Sequence, residues 1–341
     1  MKRFCAVFAL TNCFLYAAEQ LPPPPPPEMI EQQLKEAEEE FARAKTMFNP
    51  WYTGPLLTPS YHVVPAGLYN LQPYLFVTDN YAAFDKNGRA HDTPDKIQTK
   101  FVPVFQFGIT PWMNGIVQPQ FIWVSQSGHH ASRFGDTSVG VLVQLIAETT
   151  YGPGLTVSVQ ESLPSGKYQR LNPKKGGVDG VGSGSYQTTF GLLFGKLVWW
   201  EIPQHPMRFR AAFTYQISSR VEVHDFNSYG GGFGTKGKVH PGGNLAVDIG
   251  YEYSFTQRWV FATDFIYTFA FKTTFSGRPG VTATGTPAAV GGPFNDQISL
   301  APAIEYNWSE NLGVIAGVWF SPWGRNTSEF VSGVFSVNYV W

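Results

Sequence analysis

The chain has 341 residues, of which 16% are aromatic and only 14% charged, and its formal net charge is −1. This balance lacks the basic excess of a nucleic-acid-binding protein, so no nucleic-acid partner is expected. Both cysteines, Cys5 and Cys13, lie near the start of the chain. The rest of the chain therefore has neither a disulfide framework nor thiol chemistry.

The first 18 residues have the pattern of a secretory signal peptide. Lys2 and Arg3 precede the apolar run FCAVFALTNCFLYAA, and charge returns at Glu19. A basic start, an apolar run and a small-residue end are the parts of such a signal. We place cleavage after Ala17 or Ala18. Because the apolar run continues past Cys13, we favour this interpretation over a lipoprotein signal.

Residues 19–65 are predicted to be a proline-rich spacer followed by a periplasmic helix. The run LPPPPPP at residues 21–27 favours a stiff polyproline II spacer. In residues 28–48, apolar side chains recur at alternating spacings of four and three, which predicts an amphipathic helix of about six turns. A helix packed on its own barrel and a short coiled coil both fit this spacing, and we favour the first.

From residue 66 to the end, apolar residues alternate with polar ones, as in half-buried strands. We count twelve such segments, each about 10–14 residues long, which is the length that a tilted membrane strand needs. The segments are residues 67–78, 98–109, 115–126, 136–146, 154–163, 185–197, 207–218, 244–254, 259–272, 296–307, 312–321 and 330–341.

Long connections rich in Gly or charge alternate with short turns such as TPWMN and WSEN. This alternation is typical of a transmembrane β-barrel with external loops and periplasmic turns. An even strand count places both termini in the periplasm. The sequence therefore predicts an all-β fold, a twelve-stranded antiparallel transmembrane β-barrel over residues 66–341. An autotransporter domain fits the same count, but only a signal and a proline run precede the helix.

Tryptophans are predicted to cluster at the two ends of the strands, where aromatic side chains meet the bilayer interfaces. Trp123, Trp319 and Trp323 are assigned to the external ends. The periplasmic set is Trp112, Trp199, Trp200, Trp259, Trp308 and Trp341.

The last strand, FVSGVFSVNYVW, ends on an aromatic residue. Phe335, Val337, Tyr339 and Trp341 share one face of it. This pattern resembles the C-terminal assembly signal of bacterial outer-membrane proteins. The resemblance implies the barrel assembly machinery and outer-membrane lipid as partners, and the bacterial outer membrane as the location.

A second resemblance covers more of the chain. FGDTSVGVLVQL at residues 134–145 and TGPLLTPSYHVVPAGLYNLQPYLFVTDNY at residues 53–81 look like segments of the outer-membrane family named for the meta pathway of phenol degradation. That resemblance implies a transporter of small, often aromatic, molecules. It transfers no binding residue.

No catalytic or metal constellation emerges from the sequence. None of the seven histidines is predicted to lie within a strand. His129 and His130 near Asp136 fit a solvated loop better than a protease site, and a His pair lacks the further ligands of a metal site. DKNGR at residues 85–89 fits a turn with Gly88 in the left-handed conformation. We expect no enzymatic activity, no metal and no cofactor.

The predicted inward faces carry glutamines and charged residues. A charge on the lipid face costs ~2–4 kcal/mol at the midplane, so the lumen is the expected place for them. Four carboxylates near two guanidiniums suggest a mildly cation-preferring constriction in the periplasmic half, although paired charges that simply fill the lumen fit equally. The predicted pore-lining residues are Lys100, Arg208, Arg210, Asp248, Glu252, Asp264, Lys272 and Glu305.

The sequence thus predicts an outer-membrane channel that passes small solutes, of an aromatic or weakly hydrophobic kind, by diffusion. The alternative is a surface barrel whose Gly-rich loops bind host or phage ligands, as an adhesin or receptor. Oligomerisation is left open, as is the question of whether the N-terminal helix plugs the lumen.

Overall fold

A computed structural model of the chain describes residues 26–46, 48–199, 201–202 and 204–341. The predicted signal peptide, residues 1–18, lies outside the described residues, as does most of the proline run. The chain divides into two compact units, Met1–Met47 and Phe48–Trp341.

The described part of the first unit is helix α1, Pro27–Thr46, so the predicted helix is confirmed. Ile30 and Leu34, on its predicted apolar stripe, are exposed, and what the stripe packs against stays a prediction. No helix among the described residues is both long and apolar enough to cross a membrane.

The second unit is built from strands. Its described residues form β1 Tyr69–Phe84, β2 Ala90–Thr110, β3 Met113–Gln118, β4 Phe121–Gln126, β5 His129–Phe134, β6 Thr137–Ile146, β7 Gly154–Leu163, β8 Gln187–Val198, β9 Met207–Ser218, β10 Val221–His224, β11 Lys236–His240, β12 Asn244–Ser254, β13 Trp259–Ala270, β14 Thr274–Arg278, β15 Asn295–Asn307, β16 Leu312–Arg325 and β17 Thr327–Val340.

These strands close into an antiparallel barrel of twelve wall positions. Both β3 and β4 pair with β2, and they form one wall strand interrupted at Pro119 and Gln120. β5 continues into β6 in the same way, and β17 pairs with β1 to close the wall. β10, β11 and β14 form a separate three-stranded sheet. The predicted twelve-stranded barrel is confirmed.

The alternation of side chains explains why the sheet closes. Ala212 and Ala262 point inward and are fully buried, whereas Phe213 and Phe265 point outward and are exposed. Small residues inside and large apolar residues outside suit a wall whose outer surface meets lipid. Both ends of the wall, at Tyr69 and Trp341, lie with the short turns; we call this the turn end and the opposite end the loop end.

The first hairpin is longer than predicted. The sequence assigns residues 79–97 to a loop, but β1 and β2 continue through most of it and leave a turn of only Asp85–Arg89. The Asp85 carboxylate closes this turn by accepting hydrogen bonds from the backbone N–H groups of Asn87 (2.7 Å) and Arg89 (2.9 Å). Gly88 has the expected left-handed φ of 79°. These side-chain bonds extend the hairpin where polar composition predicts a loop.

The C-terminal residue is paired with the first strand. The Tyr69 backbone N–H donates to the Trp341 carbonyl at 2.9 Å, and the reverse bond is 3.0 Å. The Trp341 ring stacks on Tyr69 and Tyr339, with centroids 5.8 and 5.3 Å apart. Phe335, Tyr339 and Trp341 are all exposed on the outer surface. The terminal aromatic therefore belongs to the seam where the barrel closes.

Trp341→Ala should lower the amount of assembled barrel, because it removes the last ring of this seam and the proposed assembly signal. The measurement is the heat-modifiable barrel band in outer-membrane fractions. Trp323→Ala, on the outer surface at the loop end, is the matched control and should leave that band nearly unchanged. Equal amounts of barrel for both variants would contradict the assembly role.

Candidate functional site

The lumen contains part of the chain itself. Residues 48–65, between α1 and β1, lie inside the barrel without regular secondary structure, and we call them the lumen segment. Pro50, Pro55, Pro59 and Pro65 remove backbone donors and disfavour a helix or strand there. The compact unit of the barrel begins at Phe48. These residues, which the sequence assigns to the spacer region, therefore belong with the barrel.

The first limb of the segment rises along β15 from the turn end. The Trp51 backbone N–H donates to the Gln257 carbonyl at 3.0 Å. The Thr53 N–H donates to Glu305 Oε2 at 2.7 Å, and its hydroxyl donates to Asn307 Oδ1 at 2.9 Å. The backbone donors of an irregular strand thus find partners in the wall, as buried N–H groups require.

The apex of the segment rests on Asp264. This carboxylate accepts the backbone N–H groups of Leu57 (3.1 Å) and Thr58 (3.0 Å) and the Thr58 hydroxyl (2.5 Å). Leu56 is fully buried against small and apolar wall residues, among them Ala301 and Ile315. The apex is therefore held both by hydrogen bonds to a carboxylate and by apolar packing.

The second limb crosses to the opposite wall and descends at Tyr61, which is fully buried. A Cβ at Gly195 would lie 1.9 Å from the Tyr61 ring, so only glycine leaves room for it. The Tyr61 hydroxyl donates to Glu148 Oε2 at 2.5 Å, and Thr156 Oγ1 donates to the Tyr61 carbonyl at 2.5 Å. Pro65 then lies against Gly108, so both limbs end at the turn end.

Glu148 lies in the turn between β6 and β7 and anchors this second limb. It also accepts the Leu197 backbone N–H at 2.5 Å and the Lys196 ammonium at 3.3 Å. Burial by itself raises the pKa of Glu148, but the hydrogen bonds from Tyr61, Leu197 and Lys196 outweigh it and hold the pKa below its usual range. The carboxylate is thus kept ionised as an acceptor for Tyr61.

The structure brings four of the predicted lumen residues together around the segment. Arg210 donates from Nε to Glu252 Oε2 at 3.0 Å, and both side chains are buried. Glu305 and Asp264, also fully buried, bind Thr53 and the apex as described. Three of the four carboxylates that sequence analysis assigned to a constriction, namely Glu252, Asp264 and Glu305, are therefore engaged in internal contacts.

The other predicted residues lie elsewhere. The Arg208 guanidinium stacks on the Tyr52 ring, 3.9 Å from its centroid. Lys100 lies inside the lumen near the middle of β2, 5.0 Å from the Phe76 ring centroid. Asp248 is half-buried on the inner face of β12, and Lys272 is exposed beyond the end of β13.

Two cavities flank the lumen segment. The larger, about 280 Å³, lies towards the loop end and is lined by the apex together with Phe76, Lys100, Gln118 and Gln160. The smaller, about 210 Å³, lies towards the turn end and is lined by Tyr52, His62, Asn70, Arg208 and Asn338 among others. They share five lining residues, namely Thr53, Ser60, Gln72, Gln106 and Arg210. The segment is thus what divides the lumen.

Two predictions about aromatic and histidine positions are wrong. Trp319 does not face the bilayer interface: its ring packs inside the barrel against Phe76 and Phe330, with centroids 6.4 and 4.6 Å away. His91, His129, His130, His224 and His240 lie in strands. They do so because hairpins and the separate sheet extend past the predicted ends of the wall strands.

His129 and His130 are not paired with Asp136. Asp136, their suggested partner, is buried and accepts the backbone N–H groups of Gly166 (2.8 Å) and Ser183 (2.7 Å), while His129 and His130 are exposed. Asp136 therefore ties loops together. Across the described part of the chain, no three His, Cys, Asp or Glu side chains are grouped so as to hold a metal ion.

Comparison with solved structures identifies the fold. An outer-membrane channel from Pseudomonas putida F1 is similar with a TM-score of 0.63 and 13% identity, over 84% of this chain and 100% of that chain. The translocator domain of the autotransporter NalP from Neisseria meningitidis has a TM-score of 0.43 and 9% identity, over 92% of this chain and 96% of that chain. For a deltaS2S3 mutant of the monoaromatic hydrocarbon channel TodX the values are 0.37 and 11%, over 84% and 92%.

No protein-family model and no curated protein sequence matches the chain. At 13% identity the likeness to the Pseudomonas channel shows the fold. The chain has the twelve-stranded fold of an outer-membrane β-barrel, and this expectation is confirmed.

Proposed function

We propose that the protein is an outer-membrane channel for small solutes, with the lumen segment as its internal barrier. The observation that carries the proposal is the pair of cavities that share lining residues on either side of that segment. A lumen that served only as a packed core would be filled by side chains and would not contain a cavity on each side of the segment. A solved structure with a similar fold is an outer-membrane channel.

The lining of the larger cavity supports solutes of mixed character. Tyr74, Phe76 and Val102 supply apolar surface, and Gln118 and Gln160 supply amide groups. Cavities with mostly apolar walls and a few polar groups are typical of small-molecule sites. We therefore extend the proposal to aromatic or weakly hydrophobic solutes, as the sequence resemblance also implies.

The refolded full chain, inserted into planar bilayers, should give discrete single-channel currents, and liposomes that contain it should swell in small neutral solutes. Glu222→Gln, at an exposed position in the loop-end sheet, is a control that should conduct like the wild type. The channel would be contradicted if two folded proteins, the full chain and a variant without the lumen segment, both carried no current and caused no swelling.

A binding surface at the loop end is the second candidate. Here β10, β11 and β14 build a small core of their own, in which Val221, Val223 and Val239 are buried. Such an ordered sheet offers a defined surface to a ligand. Ligand binding that is lost on replacing this sheet, in a barrel without conductance, would favour this candidate over the channel.

The cation preference predicted from the sequence stays a prediction. With the lumen segment in place, Glu252, Asp264 and Glu305 are fully buried and hydrogen-bonded. Only in a barrel without the segment do these carboxylates face an open lumen, and it is there that reversal potentials should favour K⁺.

A further inference from the structure

We propose that the smaller cavity is a binding site for a small organic carboxylate, with the Arg208 guanidinium as its anchor. The inference deepens the proposed channel function, on which its biological meaning rests, by naming the class of solute. Binding itself can be measured without conductance.

The Arg208 guanidinium is charged and has no acidic partner among the described residues. Its Nε is buried without a hydrogen-bond acceptor, and its ring contact with Tyr52 occupies only the face of the guanidinium. It forms neither a hydrogen bond nor an ion pair with any residue in the described ranges. Its neighbour Arg210, in contrast, is paired with Glu252. A planar guanidinium with free edge N–H groups matches a carboxylate in geometry and charge.

The rest of the cavity offers donors and no competing anion. No Asp or Glu is among its described lining residues. The Asn338 side-chain oxygen accepts from Asn70 at 2.5 Å, and the Gln106 oxygen accepts from Asn114 at 3.3 Å. Both amides therefore use their oxygens in the wall, and their N–H groups remain to donate to a ligand.

The nearest carboxylates are occupied elsewhere. Glu252 is fully buried and paired with Arg210. Glu305 is fully buried too: its Oε2 accepts from Thr53, and its Oε1 has no hydrogen-bond partner among the described residues but does not line the cavity. Glu148 lies 4.0 Å from His62 at the rim of the cavity but already accepts hydrogen bonds from Tyr61 and Leu197. The unpaired charge that reaches the open space is therefore that of Arg208.

The larger cavity repeats this pattern on the other side of the segment. Its lining also contains no Asp or Glu among the described residues. Lys100 contributes an ammonium that lies 5.0 Å from the Phe76 ring centroid and has no ion pair within the described part of the chain. An anion that enters from the loop end thus meets Lys100 first and Arg208 second. Two uncompensated cations in succession favour an anionic solute over a neutral one.

The apolar part of the smaller cavity indicates an organic anion. Val63, Val64, Pro65 and Val340 add apolar side chains to its lining. An inorganic anion has no apolar surface to place against them, whereas a monocarboxylate has both an apolar body and one negative charge. One unpaired guanidinium balances that single charge.

The test is calorimetric titration of the full chain, folded in neutral detergent at low salt, with benzoate. Benzyl alcohol serves as the neutral analogue and sodium phosphate as the inorganic anion. We expect benzoate to bind best, and ~10- to 100-fold more weakly to Arg208→Gln because a charge-assisted pair is lost. Arg208→Lys keeps the positive charge but lacks the two parallel N–H groups of the guanidinium, and its affinity for benzoate should be intermediate. Arg220→Gln, at an exposed loop-end position, should bind as the wild type does.

Unchanged benzoate affinity in a folded Arg208→Gln barrel, or no benzoate binding to the wild type, would overturn the proposal. Equal binding of phosphate would overturn the carboxylate as the solute class. Conductance without Arg208-dependent binding would overturn this site and support the channel. Arg208-dependent binding without conductance would support the site and overturn the channel.

Discussion

Deletion of residues 26–64 should raise the single-channel conductance several-fold, because it joins the two cavities that the lumen segment separates. The matched control is deletion of residues 26–47, which removes α1 but leaves the segment and all its wall contacts. That control should conduct like the full chain. Equal currents from the two deletions, in barrels that both show heat-modifiable mobility, would contradict the barrier role.

A reversible lock tests the same barrier in a barrel of full length. A Cβ built at Gly250 lies 3.1 Å from Thr58 Oγ1, so the side chains of residues 58 and 250 are adjacent, as a disulfide requires. Outside the predicted signal peptide the chain has no cysteine. The double variant Thr58→Cys with Gly250→Cys should carry less current than the wild type when its disulfide is oxidised. A reductant should restore the wild-type current. Current that ignores the redox state would mean that solutes pass without displacing the apex.

Glu252→Ala should lower the free energy of unfolding by ~3–5 kcal/mol, because it leaves the buried Arg210 guanidinium without its partner. Only 4% of the Arg210 side chain and 0% of that of Glu252 are exposed. Urea titrations of the folded barrel, followed by tryptophan fluorescence, measure the change.

The matched control is Glu222→Ala, which breaks a surface pair with Lys238 at 3.6 Å whose side chains are 70% and 65% exposed. Exposed pairs contribute at most ~1 kcal/mol. Replacing both buried partners, with Arg210→Met and Glu252→Leu, should recover much of the loss. A similar small effect for Glu222→Ala and Glu252→Ala would show that the buried pair is not anchored as described.

The wall of the barrel could be predicted from the sequence because lipid and lumen impose opposite demands on alternate residues. Ala212 and Phe213 show these demands in two successive residues, a small one that faces the lumen and a large apolar one that faces lipid. The loop end could not be predicted as well: β1 continues to Phe84 because Asp85 closes a tight turn, and Trp319 turns inward to meet Phe76. Both depend on partners that are distant in sequence or on side-chain bonds that periodicity does not contain.

The lumen segment was missed for a related reason. Residues 48–65 have no period, so nothing in them predicts burial, although the alternation of β13 and β15 predicts that their carboxylates face inward. In the predicted wall four inward carboxylates faced only two guanidiniums, which left two acids without a cationic partner. A proline-rich stretch has backbone N–H groups that need acceptors. Together with the inward carboxylates Asp264 and Glu305, this stretch was the sequence signal that a piece of chain lies in the lumen.

The hairpin course of the lumen segment has a mechanical consequence. Because both limbs leave by the turn end, the segment can be drawn out without any part of the chain passing the opposite mouth. A load applied at Phe48 reaches the anchors in sequence, first Trp51, then Thr53, then the apex at Thr58. The hydrogen bonds of these anchors break one after another and are not all loaded at once. Extraction from that side therefore needs only the force that breaks one anchor.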